Sequence, residues 1–168
     1  YTLSLHDALP IFKYKGTEYR SFKMGIDSAA MHMFKLKVTN GNHNFLTENS
    51  EEIAITEQLA RQLFGTENPL GQEIEIYGQK KRICAVIQSW SRHSNIPYEI
   101  VDNFSPGDNR TQWYASMCQT FIKLKKGVDA QKFIQKLYEH TYETENSIVV
   151  KKSVATPITA MRYDRPNQ

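Results

Sequence analysis

The residues that could perform chemistry do not fall into any known catalytic pattern. The chain has 168 residues, among them five histidines and two cysteines. It contains no G-x-S-x-G nucleophile elbow, H-E-x-x-H zinc motif, Walker A loop or G-x-G-x-x-G turn. Glu51 and Glu52 are adjacent at the start of a predicted strand. Their side chains therefore point to opposite faces and cannot act as a pair. We expect no catalytic residue, no cofactor and no enzymatic activity.

Metal binding is equally unsupported by the spacing of the candidate ligands. His32 and His43 are eleven residues apart, and the flanks of His43 offer only asparagine. That set matches no standard metal site, so we expect surface histidines. Cys84 and Cys118 both have apolar neighbours. Two buried thiols in strands are the favoured interpretation, and a disulfide between them is the alternative.

One short cluster could contact a partner. Trp90, Arg92 and His93 lie close together where a predicted strand ends. We interpret them as a partner contact, and the alternative is a loop in which Trp90 covers the core. Nucleic acid is not an expected partner, because the formal net charge is only +3 and a nucleic-acid-binding domain usually shows a concentrated basic patch.

The elements that would position these residues centre on residues 50–90. Glu52–Ile55 is a short strand, and Thr56 is suited to cap the helix that follows, with Glu57 in its first turn. Four apolar residues then recur at helical spacing, and Gly65 stands where a left-handed terminal residue belongs. These residues are Leu59, Ala60, Leu63 and Phe64.

A hairpin follows this helix. Pro69–Gly71 turns the chain into the alternating strand Glu73–Tyr77, and Gly78–Lys80 is the predicted turn. The next strand, Lys81–Gln88, contains the apolar run Ile83–Ile87. A run of this kind is typical of a central strand covered on both faces.

The regions before and after residues 50–90 also show strand and helix patterns. A hairpin or strand is predicted around Gly16, and Asp27 is a candidate cap for a short helix with Ala30, Met33 and Phe34 on one face. Thr120–Leu124 resembles a strand. Asp129 is placed to cap a second amphipathic helix, and Ser147–Val154 is a last predicted strand.

The order of residues in the central region resembles the MacB-like periplasmic core domain, the extracytoplasmic part of ABC-transporter permeases of the MacB/FtsX kind. The resemblance extends over most of residues 17–164. It differs from the family pattern at Ala85-Val86, where the family has Gly-Val, and after Gly41, where an arginine is missing. The matching residues are Ile55, Thr56, Glu57, Leu59, Ala60, Leu63, Phe64, Gly65, Pro69, Leu70, Gly71, Ile74 and Val86.

This resemblance implies an α+β fold with two lobes on the periplasmic or extracellular side of a cell membrane. We expect a βαβ-like main lobe from residues 13–46 and 104–168, and an inserted small α/β module from residues 47–103. The implied function is to couple cytoplasmic ATP hydrolysis to mechanical movement outside the membrane, for export of a substrate or regulation of a partner protein. The implied partners are the permease's transmembrane helices, a second permease copy, a cytoplasmic ABC ATPase subunit, and a periplasmic partner or exported substrate.

Two expectations concern the ends of the chain. Residues 1–11 resemble a translated sequencing-adapter remnant, so residues 1–12 are expected to be an artefact or a disordered tail. No window approaches 18 apolar residues, so the membrane helices of such a permease are expected outside this sequence.

A secreted non-enzymatic ligand-binding module is the alternative function. An enzyme whose catalytic groups converge only in the fold is the third hypothesis.

Overall fold

A computed structural model describes residues 2–3, 11–89, 98–104, 119–144 and 155–157. Its contacts divide the chain into two units, Tyr1–Arg110 with Met117–Ile122 and Thr111–Ser116 with Lys123–Gln168. The described strands are β1 Thr2–Leu3, β2 Ile11–Tyr14, β3 Thr17–Arg20, β4 Phe22–Ile26, β5 Val38–Gly41, β6 Glu52–Thr56, β7 Glu73–Ile76, β8 Gln79–Ile87, β9 Tyr98–Asn103 and β10 Gln119–Thr120. The helices are α1 Ser28–Phe34, α2 Glu57–Phe64 and α3 Ala130–Thr144, with a 3₁₀ turn at Asn44–Leu46.

The first unit is built on one mixed sheet of eight strands. Seven of them lie in the order β3-β2-β7-β8-β6-β9-β4, and β5 also pairs with β8. β8 is parallel to β6 and antiparallel to β7 and β5. β7 pairs with β8 from Gln79 to Arg82, and β5 pairs with β8 from Ala85 to Ile87. These two short strands therefore pair with successive segments of β8. A mixed sheet with a few helices confirms the predicted α+β class.

The sheet buries apolar side chains on both faces. Ile53 and Ile55 belong to one core cluster, and Ala54 between them belongs to the other. Because successive side chains of a strand point to opposite faces, the two clusters lie on opposite sides of the sheet. β8 contributes to both, and all five residues of Ile83–Ile87 are buried. The predicted central strand covered on both faces is therefore confirmed.

Each face is covered by a helix whose ends follow from the sequence. On one face, α2 packs Leu59, Ala60 and Phe64 into the cluster. The Thr56 hydroxyl accepts a hydrogen bond from the Leu59 N–H at 3.2 Å, as expected of an N-cap. On the other face, α1 contributes Ala30 and Met31. The caps predicted at Thr56 and Asp27 are both confirmed.

Three local predictions need correction. The β7–β8 turn consists of Tyr77 and Gly78, which both have positive φ, and β8 already begins at Gln79. A tyrosine rarely adopts that conformation, so the sequence favoured a later turn. Gly65 ends α2 with φ 60° and ψ −108°, outside the left-handed helical region. The strand predicted at Thr120–Leu124 is only the two-residue β10.

The N-terminal boundary also differs from the prediction. Phe12, assigned to an artefact or disordered tail, lies in β2 with its side chain fully buried. Its ring stacks on Tyr19 with centroids 5.3 Å apart. The fold therefore includes Phe12, and Thr2–Leu3 of the same N-terminal segment form β1, which pairs with β10.

The two units of the structure have other boundaries than the two predicted lobes. The predicted boundary between residues 46 and 47 lies inside the first unit. β4 pairs with β9, and β5 pairs with β8, so one sheet joins residues on both sides of that boundary. In the second unit, α3 begins after Asp129, whose carboxylate accepts hydrogen bonds from the N–H groups of Gln131 and Lys132. The predicted strand at Ser147–Val154 lies outside the described residues.

Candidate functional site

The predicted partner contact at Trp90, Arg92 and His93 lies outside the described residues. The chain is described up to Ser89. The Ser89 hydroxyl accepts a hydrogen bond from the Gln58 N–H at 2.9 Å. This bond ties the segment after β8 to the first turn of α2, immediately before the predicted contact.

A larger candidate site lies beside α1. This α1 groove is a cavity of about 810 Å³ between α1 and the 3₁₀ turn. Its volume is within the range of small-ligand and peptide-anchor pockets. The groove is lined by Ser28, Met31, His32, Lys35, Leu36, Lys37, His43, Leu46 and Thr47.

The end of α1 sets one side of the groove. Lys35 has φ 52° and ψ 41°, a left-handed conformation that stops the helix. The Leu36 N–H donates to the Met31 carbonyl oxygen at 3.0 Å, closing the last turn. After this turn, Leu36 is half-buried, and Lys35 and Lys37 on either side of it are exposed.

The 3₁₀ turn sets the other side. Phe45 is buried at its centre, and this anchors the segment to the core. The His43 ring stacks on Phe45 with centroids 6.4 Å apart. The Leu46 N–H donates to the His43 carbonyl oxygen at 3.0 Å. His43 is therefore held at the rim by an aromatic contact and by the backbone of its own turn.

The groove combines an apolar floor with a basic rim. Met31 is buried, and Leu36 and Leu46 are half-buried. Among the residues that the structure describes, the lining includes no aspartate or glutamate. None of the rim cations is in an ion pair with a carboxylate of the described ranges. The rim consists of the cationic lysines Lys35 and Lys37 and the imidazole rings of His32 and His43.

The sequence analysis did not predict this groove. His32 and His43 were predicted to be surface histidines and not metal ligands; both are exposed, and eleven residues separate them in the chain. The fold brings both to one cavity because β5 returns the chain to α1. Basic residues on both sides of half-buried leucines were a signal for it, but no local pattern predicts which turn faces the helix.

A smaller cavity of about 230 Å³ lies on the α2 side of the sheet. Its lining has both charge signs, from Glu57, Arg61 and Glu67, and includes Val86 from β8. A mixed rim of this kind selects for neither anions nor cations. We assign it no ligand.

Metal and nucleophile chemistry find no geometric support in the described ranges. No three histidine, cysteine, aspartate or glutamate side chains there are grouped to hold a metal ion. Cys84 is a buried free thiol in β8, and burial raises its pKa. A thiol with a raised pKa is a poor nucleophile at neutral pH. Cys118, the other half of the predicted alternative disulfide, lies outside the described residues.

The described part of the chain contains the helices α1, α2 and α3. None of its helices combines the length and the apolar composition that crossing a bilayer requires.

Comparison with known proteins identifies one family. The model of the MacB-like periplasmic core domain matches residues 6–139. The search of curated proteins gave no significant match. The matched range starts within the segment that the sequence analysis set aside, and it includes all of the sheet through β9.

Solved structures that share this fold include three from bacteria. The periplasmic region of MacB from Actinobacillus actinomycetemcomitans has a TM-score of 0.61 and 15% identity, covering 84% of this chain and 65% of that one. A domain of a putative permease protein from Porphyromonas gingivalis has a TM-score of 0.71 and 16% identity, covering 86% and 63%. The extracellular domain of the noncanonic ABC-type transporter YknZ from Gram-positive bacteria has a TM-score of 0.55 and 19% identity, covering 86% and 76%. The chain therefore spans slightly less than two thirds of the first two relatives.

Proposed function

The chain belongs to the MacB-like periplasmic core domain family, and on that premise we propose that it couples cytoplasmic ATP hydrolysis to movement outside the membrane. The family match over residues 6–139 carries this proposal. It also confirms the resemblance predicted from the sequence. The family is a class of extracytoplasmic permease domains and not of enzymes, so hydrolysis would occur on an ABC ATPase subunit.

The proposed role requires a domain that moves as a rigid body. Movement passes through a domain without loss only if its elements keep their packing. β8 meets this requirement, because it has partners on both edges and buried side chains on both faces. Lys23 of β4 and Asp102 of β9 also form a half-buried ion pair across neighbouring strands. The first unit is thus suited to transmit a displacement.

The proposed assembly contains a second permease copy, the transmembrane helices of the permease and a cytoplasmic ATPase. The moved object is a substrate for export or a partner protein on the periplasmic or extracellular side. Trp90, Arg92 and His93 are the proposed partner contact. They follow the end of β8 by a few residues in the sequence.

The experiment that tests coupling measures movement directly. Lys80→Cys supplies an exposed labelling site on β8, and Cys118→Ser removes the thiol outside the described residues. Cys84 stays, because it is buried. The complete permease is reconstituted with its ATPase, and pulsed electron resonance records the distance between spin labels on the two copies.

We expect the label distance to change when ATP is added and to stay constant with an ATPase that binds but cannot hydrolyse or close on ATP. An unchanged distance with an active ATPase would refute the coupling. Sequencing the locus on both sides decides between this function and the secreted ligand-binding alternative. A reading frame that continues into apolar helices beside an ATPase gene supports the permease, and a lone frame behind a cleavable signal peptide supports the secreted module.

A further inference from the structure

We propose that the α1 groove binds a short acidic segment of a partner protein, with its carboxylates on the basic rim and an apolar side chain on the floor. The inference concerns the groove alone. It holds whether or not the domain transmits movement, so its test and the test of coupling can fail independently.

The rim supplies the first argument. His32, Lys35 and Lys37 come from α1 and the residues after it, and His43 faces them from the other side. Some other basic residues of the same unit have acidic partners: Lys23 pairs with Asp102 and Arg82 pairs with Glu52. The rim residues have no such partner among the described carboxylates. A positive surface without internal compensation attracts and orients acidic ligands.

A helix terminus does not account for this concentration of charge. Cations near the C-terminus of a helix offset its negative end, and His32 lies in the last turn of α1. Lys37 is beyond the end of the helix, and His43 belongs to a different segment. Both lie outside the last turn, where the helix dipole acts, so the helix end does not account for them.

The floor supplies the second argument. Met31, Leu36 and Leu46 present apolar surface at the base of a cavity of about 810 Å³. A side chain such as leucine gains roughly 1.5–3 kcal/mol when it is fully transferred from water to such a surface. Methionine adapts its shape to different apolar partners. An apolar residue between acidic ones would use both the floor and the rim.

The spacing of the cations favours a peptide over a ligand with a single anionic head. His32 lies in the last turn of α1, and Lys35 follows at the C-terminal cap of that helix. Lys37 is two residues further along the chain, immediately before β5. His43 lies on the opposite side of the cavity. Charges distributed in this way match carboxylates that recur along a peptide.

A second copy of this chain is a poorer occupant. The chain carries 21 lysines and arginines against 18 aspartates and glutamates. Two copies that approach through a basic groove bring net like charges together, which disfavours association. The second copy is therefore treated as an outcome of the test.

The probe is a blocked hexapeptide of alternating glutamate and leucine, titrated into the isotopically labelled full chain and followed by nuclear magnetic resonance. We expect the largest shifts at Met31, Leu36 and Leu46. A hexapeptide of alternating glutamine and leucine tests the charges, and one of alternating glutamate and serine tests the floor. Both should bind about tenfold more weakly, and added salt should weaken only the acidic peptides.

The groove variant is the double substitution Lys35→Gln with Lys37→Gln. It removes two cations and should weaken binding of the glutamate–leucine peptide by about tenfold. The matched control is Lys125→Gln with Lys126→Gln, two exposed lysines of the second unit. It changes the net charge by the same amount and should leave the affinity within about twofold.

Three results would overturn the proposal. Equal weakening in the groove variant and the matched control would show that the peptide senses only the net charge. Equal binding of the glutamine–leucine peptide would show that the rim is irrelevant. Self-association of the unmodified chain in sedimentation, abolished by the groove variant and not by the control, would assign the groove to a second copy. If the groove variant fails to melt cooperatively, it is replaced by the single substitution Lys37→Gln, which leaves α1 intact and should still weaken binding more than the single control Lys126→Gln.

Discussion

A Cβ atom placed on Gly41 would lie 2.1 Å from the carbonyl oxygen of Cys84. The two residues are neighbours because the end of β5 pairs with β8 at Ala85, and the Asn42 N–H donates to the same carbonyl at 3.1 Å. Cys84 is itself an extra residue in the ladder. Ile53 pairs with Ile83 and Ala54 pairs with Ala85, so Cys84 forms a bulge in β8. The absence of a side chain at residue 41 allows this bulge and β5 to approach each other.

Gly41→Ala should therefore destabilise the chain strongly. Gly41 has φ +93°, which alanine adopts only with strain, and the new Cβ would also meet the backbone of β8. We expect a loss of about 3 kcal/mol or more in the free energy of unfolding, measured by urea denaturation. Gly16→Ala is the matched control, since Gly16 has φ +79° and nothing within 4 Å of the added Cβ. It should cost about 1 kcal/mol. Equal losses in the two variants would show that the close approach to Cys84 has no energetic effect.

Val86→Asp should abolish folding of the sheet. Val86 is 7% exposed and packs in the cluster beneath α2. Arg61 lines the cavity beside Val86, but Glu57 and Glu67 line it too, so no net positive charge offsets a new carboxylate. Its burial would cost roughly 4 kcal/mol or more, a large part of the stability of a domain of this size. Circular dichroism should show no cooperative melt. Gln79→Asp, at the exposed start of the same strand, should melt like the original chain. A soluble, cooperatively melting Val86→Asp variant would contradict the burial of this face.

Local chemistry allowed the elements around β8 to be predicted. The Thr56 cap, the apolar face of α2 and the continuous run Ile83–Ile87 each depend on residues within a few positions of one another. Such patterns are set by hydrogen bonding and side-chain periodicity, which a single sequence records. The same holds for Asp27, whose carboxylate accepts from the Ala30 N–H at 2.6 Å.

The features that were missed depend on pairings between distant segments. Nothing near Phe12 indicates that it pairs with Ile76, and so its place in the core was not predicted. The addition of β5 to β8 is a pairing of the same kind. It makes one sheet from two predicted lobes and brings His43 to the groove beside His32. Tyr77 was missed for another reason, because the tertiary fold imposes a positive φ that its residue type disfavours.

Trp90→Ala distinguishes the two interpretations of the segment after β8. If Trp90 contacts a partner, as we propose, its removal should change the free energy of unfolding of the isolated chain by less than about 0.5 kcal/mol. If it covers the core, the loss should approach about 3 kcal/mol, as for other buried aromatic residues. Phe45→Ala provides the reference for a buried ring, since Phe45 is 1% exposed. Urea denaturation of both variants gives the comparison, and a loss at Trp90 that equals the loss at Phe45 would reject the contact.

Stability should fall at alkaline pH through Cys84. Burial raises the pKa of this thiol in the folded chain above its ordinary value of 9.0. The folded state therefore favours the protonated thiol, and its contribution is fully present below pH 9.0 and is lost as pH rises through the folded pKa. Lysines and tyrosines also titrate in this range, so the melting temperature is compared with that of Cys84→Ala at each pH. We expect the decrease between neutral and strongly alkaline pH to be larger for the original chain. Equal decreases in the two chains would show that the Cys84 thiol ionises as readily in the folded state as in the unfolded one.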